Sequence, residues 1–323
     1  MTSNTDCHPK MQGQSPPFLA MLRSARLVAA TRAPVLIQGE SGTGKELLAQ
    51  FIHEQSPRHR KSFIAINCAA LPEALAESEL FGHAKGAFTG ANTAREGRIA
   101  AAQYGTLFLD EIGEMPLTVQ SKLLRFLESG ECQVLGEGRS IHIDTRIIAA
   151  TNRGLADLVQ QGRFRNDLYY RLQVVPLEVP PLRQRSDDIE PLAQQFLQWF
   201  SRHHGVAAPQ LTDPVRRMMH RWSWPGNIRE LRNLCERLVI LHSGSDLAIE
   251  HLPHEIRACH PTTERFPAAD FPITGISLEH LERELIMKAL AHAGGNRSRA
   301  ARLLDLSRDT LLYRIKKHGL QTD

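Results

Sequence analysis

The sequence predicts an α/β domain built on a doubly wound parallel sheet, then a small helical lid, then a separate all-α helix-turn-helix unit. Three observations carry that expectation. Short unbroken apolar runs alternate with helix-like stretches across residues 18–180. Residues 181–253 keep helical apolar spacing without a comparable β run, and a basic C-terminal tail breaks into short segments with capping residues.

The 323 residues exceed what one hydrophobic core usually organises, so more than one domain is expected. A composition of 42% hydrophobic and 23% charged residues is that of a soluble globular protein. No apolar run is long enough to span a bilayer, and the first residues lack the apolar core of a secretion signal, which argues against membrane and secreted classes. Five scattered cysteines (Cys7, Cys68, Cys132, Cys235, Cys259) never take a C-x-x-C spacing. That excludes a disulfide scaffold, disfavours zinc, and places the chain in a reducing cytoplasm.

The apolar runs lie at residues 34–38, 63–67, 106–110, 146–151 and 174–179. They do not alternate, as expected of strands buried on both faces of a parallel sheet. Lid helices are expected over 188–200, 213–221 and 227–241, with caps at Asp187 and Thr212. Pro261, Pro267 and Pro272 fall in an aperiodic stretch that reads as a linker. The division is an extension (1–17), an α/β subdomain (18–180), a lid (181–253), a linker (254–276) and a C-terminal unit (277–323).

The first strand runs into Gly39, Glu40, Ser41, Gly42, Thr43, Gly44, Lys45 and Glu46, and an apolar helix follows. Strand, glycine loop and helix is the order of a P-loop. The glycines let successive N–H groups converge on one anion, the helix N-terminus adds its dipole, and Lys45 reaches the outer phosphates of a nucleotide. The alternative is a Gly-rich turn with a solvated lysine. Glu46 stands where Ser or Thr commonly supplies a hydroxyl to Mg²⁺. The strand at 106–110 ends in Asp110 and Glu111, at the sheet edge where open α/β folds bind ligands. Asp110 is placed to hold Mg²⁺ through water, and Glu111 to orient or deprotonate an attacking water. Otherwise the two are solvated acids at a strand end. Asn152, ending the next strand, is a candidate for the attacking water or the γ-phosphate, or a plain turn cap. Arg165, Arg171 and Arg229 are arginines that either complete such a site or form surface salt bridges.

Between the two nucleotide motifs stands E-L-F-G-H-A-K-G-A-F-T-G-A, whose end is Gly86, Ala87, Phe88, Thr89, Gly90 and Ala91. Small residues around an aromatic tip suit a mobile loop that contacts another protein; the alternative is a phenylalanine buried in a tight turn. On this string and the P-loop the chain resembles the sigma-54-dependent transcriptional activators, bacterial enhancer-binding proteins of the AAA+ class, over roughly residues 18–253 and the C-terminal unit. The resemblance implies an AAA+ ATPase using ATP and Mg²⁺, with Glu46 at its usual place. It implies Walker B acids at Asp110 and Glu111, and a γ-phosphate-sensing Asn67 acting through Glu111. It further implies sensor I at Asn152, sensor II at Arg229, and arginine fingers at Arg165 and Arg171 that reach a neighbouring subunit of a hexamer. Residues 86–91 would contact sigma-54, with residues 132–140 as a cooperating loop, so that hydrolysis opens the closed RNA polymerase–promoter complex.

The chain's net charge is +4, yet residues 296–318 alone carry Arg297, Arg299, Arg302, Arg308, Arg314, Lys316 and Lys317 against Asp305 and Asp309. A near-neutral body with a cationic tail suggests a polyanionic partner. Ser277 can cap a helix whose apolar face is Leu278, Leu281, Leu285, Ile286, Ala289 and Leu290, ended by Gly294 and Gly295. Asn296 then caps a short helix that holds Ala300, Ala301, Leu303 and Leu304. A turn at 305–307 follows, and Ser307 caps the last helix, with Leu311, Leu312 and Ile315 inward.

Thr310, Tyr313, Arg314 and Lys317 fall on one polar stripe able to enter a major groove. Thr310 and Arg314 are candidates for base edges, and Arg297, Arg299 and Lys317 for phosphates. The alternative is a three-helix dimerisation unit. The unit resembles the Fis-like DNA-binding domain of the same activators, whose first helix pairs two subunits.

The leading expectation is a DNA-bound, ATP-driven activator that acts on sigma-54 RNA polymerase from upstream sites. A repressor whose ATP site controls assembly, and a generic AAA+ nucleic-acid remodeller, are the alternatives. Residues 1–17 leave no room for a sensory domain, so control is expected from a trans-acting protein, expression level or a small effector.

Overall fold

A computed structural model describes residues 11–87, 93–138, 140–258, 278–304 and 306–320. They fall into two compact units divided after residue 259.

The first unit is centred on five parallel strands: β1 (Val35–Gln38), β2 (Phe63–Asn67), β3 (Thr106–Asp110), β4 (Arg146–Thr151) and β5 (Val175–Glu178). Their order across the sheet is β2-β3-β4-β1-β5. Register pairs Asn67 with Asp110 and Gln38 with Thr151, so the polar strand ends share one edge. Side chains alternate between the two faces, and the sequence's unbroken apolar runs split accordingly. Leu36, Leu107, Leu109, Ile147 and Ala149 enter one core, while Val35, Ile37, Phe108, Ile148 and Ala150 enter the other. Truncating a leucine in such a site costs about 2–5 kcal/mol. The three inner strands are buried as expected, but β2 and β5 are not. Each lies at an edge with one neighbour, so part of its surface stays exposed.

Helices cover both faces. On one side lie α1 (Pro16–Ala29) and α2 (Lys45–Glu54), which bury Phe18, Ala25, Leu48 and Ile52. On the other lie α3 (Glu73–Phe81), α4 (Leu117–Ser129), α5 (Leu155–Gln160) and α6 (Asn166–Leu172). Arg146, the one charge in its apolar run, is buried because its guanidinium donates to the carbonyls of Val28 and Ala29 at the end of α1, at 2.7 and 2.9 Å.

The lid is α7 (Ser186–His204), α8 (Asp213–Arg221), α9 (Asn227–Leu241) and the short α10 (His254–Arg257). Ile256 packs into the lid core, so ordered lid structure continues past residue 253 into the stretch read as linker. A two-residue parallel pairing, Gln210–Leu211 with Asp246–Leu247, was not legible as a β run. The expected cap at Asp187 is corrected: α7 begins at Ser186 with Arg185 at the cap position, and Asp187 lies in its first turn. Thr212 does precede α8, but its hydroxyl donates to the Leu247 carbonyl at 2.6 Å rather than capping the helix.

The second unit holds α11 (Leu278–His292), α12 (Arg297–Leu303) and α13 (Arg308–Lys317). Gly294 and Gly295 both take positive φ after α11. Asn296 accepts from the N–H groups of Ser298 and Arg299, and Ser307 from that of Thr310, so both caps form. Ile286, Ala289, Leu290, Ala300, Ala301, Leu311 and Ile315 make the core, with Leu304 packed against it. Leu303 of α12 is 54% exposed. Ser277 and Asp305 lie outside the described residues, as do the side chains of Leu278 and Leu281.

Candidate nucleotide site and surfaces for partners

The loop after β1 closes over α2 through Gly42 and Gly44, at φ +76° and +97°. A side chain at Gly42 would also meet the Gly226 carbonyl of the lid at 2.3 Å, so only glycine permits that approach. Lys45, 7% exposed, donates from Nζ to the Gly39 carbonyl at 3.0 Å and lies 3.4 Å from Glu111 Oε1. Its ammonium therefore bridges the loop and the end of β3.

Asp110 and Glu111 stand together at that strand end. Burial, and then the charge of Glu111, push the Asp110 carboxyl above its ordinary value, partly offset by Lys45. Glu111 adopts a left-handed backbone at φ 50°, ψ 50°, and its own N–H donates to Asp110 Oδ1 at 3.0 Å. Its Oε2 accepts from the backbone N–H of Asn152 at 3.1 Å. Asn152 thus touches the site through its main chain, while its side chain is exposed. Asn67 is Asp110's register partner, but its amide oxygen accepts from the Ala69 N–H at 2.9 Å in a local turn. Among the described residues no hydrogen bond joins Asn67 to Glu111.

A cavity of about 310 Å³ gathers Ser41, Gly42, Thr43, Gly44, Lys45, Glu46, Asp110, Glu111 and Arg229 in one lining. Arg229 Nη1 donates to Ser41 Oγ at 3.0 Å, so α9 brings its arginine onto the loop. The cavity also takes in Met11, Gln12, Phe18, Arg185, Leu192, Gln195, Phe196, Ile228, Arg232 and Asn233, which the sequence reading did not single out. Its two kinds of lining match a nucleotide: N–H groups and a cation for phosphates, apolar surface for a base. Two adjacent carboxylates fit Mg²⁺, which is commonly held by one or two carboxylates together with substrate phosphates and water.

Glu40 is turned away from that lining. Arg183 grips its carboxylate through both Nη atoms, at 2.8 and 2.5 Å, and Asn227 Nδ2 donates at 3.1 Å. Those hydrogen bonds, Arg183's first, hold the Glu40 carboxyl down at about 2. Asn227, fully buried at φ +52°, also donates to the Ser41 carbonyl and accepts from the Leu182 N–H, while the Ile228 N–H donates to the Gly42 carbonyl at 3.0 Å. This junction between loop and lid was not evident from the sequence, although Asn227 lies only two residues before Arg229.

Arg165 and Arg171 do not line the cavity. Arg165 forms a two-pronged pair with Asp167, at 3.1 and 2.7 Å, and Arg171 donates to the Leu127 carbonyl. Both are exposed on or beside α6.

Of residues 86–91, Gly86 and Ala87 are described, and Phe88, Thr89, Gly90 and Ala91 lie outside the described residues. Gly86 has φ +83°, and a side chain added there would meet no atom of the described residues within 4 Å. The segment springs from an antiparallel pairing of Gly82–His83 with Arg95–Glu96. Its base is joined to the second predicted loop: the Ala84 N–H donates to the Leu135 carbonyl at 2.9 Å, and the Leu135 N–H to the Gly82 carbonyl at 3.0 Å. That loop is flanked by the pairing of Glu131–Gln133 with Ser140–His142.

In the second unit, Arg297, Arg299, Tyr313 and Lys317 are exposed, Tyr313 at 69%. Thr310 shares a 2.7 Å hydroxyl hydrogen bond with Ser307. Arg314 pairs with Glu282 of α11 at 2.6 Å, and His318 approaches the same carboxylate at 3.0 Å. No described helix is long and apolar enough to cross a membrane.

Families of known proteins match three successive segments of the chain. The sigma-54 interaction domain family matches residues 11–178, the AAA+ ATPase lid domain residues 183–268, and the Fis family of bacterial regulatory proteins residues 277–318. The chain is 46% identical over 310 residues to the regulatory protein AtoC of Escherichia coli K12, covering 95% of this chain and 67% of that protein. It is 43% identical over 328 residues to the transcriptional regulator NtrC of the same organism, covering 96% and 70%. Among solved structures it resembles NtrX from Brucella abortus in complex with ATP, with a TM-score of 0.72, 32% identity, and 97% and 70% of the two chains covered.

Proposed function

The chain belongs to the family defined by the sigma-54 interaction domain, and from that premise we propose how its residues turn ATP hydrolysis into promoter opening. It is a sigma-54-dependent transcription activator, an AAA+ ATPase with a Fis-type DNA-binding domain. The observation that carries the reading is convergence. Lys45, the adjacent Asp110 and Glu111, and Arg229 come from three places in the chain and line one cavity.

The phosphates of ATP lie against the N–H groups of residues 41–46 and the Lys45 ammonium, with Arg229 reaching them from the lid. Asp110, through water, would hold Mg²⁺, which would supply charge neutralisation for the phosphates. Glu111 accepts a proton from the attacking water, and the Asn152 N–H keeps its carboxylate in place. Arg165 and Arg171 act on a neighbouring subunit's nucleotide, which requires a ring, a hexamer in this reading. Their exposure and absence from their own cavity support that role.

The product of this cycle is movement. Residues 86–91, supported at their base by the 132–140 loop, contact sigma-54 and are displaced as ATP turns over. The C-terminal unit holds the assembly on upstream DNA, with Arg297, Arg299, Tyr313 and Lys317 at the duplex, and Thr310 and Arg314 toward base edges once Arg314 leaves Glu282. A trans-acting protein is a fitting regulator. Neither a repressor nor a generic nucleic-acid remodeller matches the relatives found. The test is Thr89→Ala in the full chain. ATP hydrolysis stays within about twofold of the parent while open-complex formation at a sigma-54 promoter falls by at least about a hundredfold. Undiminished open-complex formation by that variant contradicts the contact role.

A further inference from the structure

The most buried ion pair of the first unit lies beside the nucleotide cavity and has no part in the chemistry above. Asp188 is 0% exposed and Arg185 1%, and Arg185 Nε donates to Asp188 Oδ2 at 2.9 Å. Both reach the same stretch of chain. The Asp188 carboxylate accepts from the Gln14 N–H at 2.6 Å, the Ser15 N–H at 2.9 Å and the Ser15 hydroxyl at 2.7 Å. Arg185 Nη2 donates to the Gln12 carbonyl at 3.1 Å, and its guanidinium stands 4.1 Å from the centre of the Phe18 ring. Phe18 itself belongs to the core on one face of the sheet. Residues 11–18 therefore form a strap pinned to the lid by the pair and to the sheet by Phe18. Met11, Gln12 and Phe18 of that strap line the cavity, alongside Leu192 and Phe196 of α7.

Desolvating two charges costs about as much as their attraction returns, so a buried ion pair is a poor source of stability and a good means of fixing geometry. Here the geometry fixed is the apolar part of the lining, where a planar base would stack; the phosphates are served by other residues. We infer that Arg185 and Asp188 are positioning residues that clamp residues 11–18 as the base-side wall of the nucleotide cavity, so that base recognition depends on the clamp and phosphate binding does not. The inference rests on the nucleotide reading above.

Gly13 supplies the test. A methyl there would lie 2.5 Å from Phe18 Cδ1, 2.7 Å from Asp188 Oδ2 and 2.8 Å from Arg185 Nη2, so Gly13→Ala levers the strap off the clamp without deleting any partner. Binding of ATP and of inorganic tripolyphosphate to the full chain is measured by competition against a fluorescent ATP analogue. The ATP Kd is expected to rise about tenfold, the tripolyphosphate Kd to stay within about twofold, and kcat at saturating ATP to hold. Ser15→Ala, which removes one hydrogen bond to Asp188, should move the same ratio less far and serves if Gly13→Ala does not fold. Equal weakening of both ligands, or an unchanged ATP Kd in both variants, overturns the clamp. Failure of tripolyphosphate to displace the analogue from the parent chain instead overturns the phosphate-loop reading, and the clamp with it.

Discussion

Glu111 shows how much one backbone angle decides. A left-handed glutamate is uncommon, and at the end of β3 that conformation lets one carboxylate meet both the Lys45 ammonium and the Asn152 N–H. Beside it, burial and then the Glu111 charge raise the Asp110 carboxyl above its ordinary value. Glu111→Gln preserves shape and hydrogen bonding to Asn152 but removes the base. It should still bind ATP, with kcat reduced at least about a hundredfold; hydrolysis at the parent rate, measured by phosphate release, would remove Glu111 from the proposed step. At this scale the sequence pointed to most of the residues that meet around the cavity and less well to how they meet. An acid pair ending an apolar strand is visible in one dimension. Asn152's use of its main chain, and Asn67's local turn with Ala69, are not, because both depend on where an amide points after folding.

Among elements, the strands were the most legible. Five apolar runs became five strands with ends shifted by at most one residue, since a parallel sheet demands burial and burial writes itself into composition. What remained hidden were contacts across long sequence separations. Glu40 stands in the phosphate loop and read as part of it, yet its carboxylate is taken by Arg183 and Asn227 of the lid. This latch has a pH signature. The Glu40 carboxyl is depressed from an ordinary 4.5 to about 2, so its contribution to stability is fully present above pH 4.5 and is lost as pH falls through about 2. The pair is exposed, so the contribution is small. Urea unfolding of Glu40→Gln against the parent should show a small loss of stability that is constant from pH 7 to about 5 and narrows below 4.5. A difference that widens on acidification contradicts the latch.

For the whole molecule, the claim is that one chain joins an ATP-hydrolysing α/β domain and its lid, a loop proposed to contact sigma-54, and a DNA-binding unit. The loop's base is hydrogen-bonded to the second loop, and that loop's flanking strands lead by short connections to α4 and β4. A shift at the end of β3 therefore has a covalent route to the loop through α4. The sequence announced this division of labour through G-A-F-T-G-A and the capped C-terminal helices; the strap and its buried clamp are properties of the packed molecule alone.

The most direct measurement is open-complex formation on a sigma-54 promoter, read by permanganate reactivity of the melted strand, with purified chain, sigma-54 and core polymerase. ATP should produce melted promoter, and a non-hydrolysable analogue at saturating concentration should leave it closed. Equal melting with both nucleotides, or none with ATP under conditions where the chain hydrolyses it, would contradict the coupling of hydrolysis to remodelling.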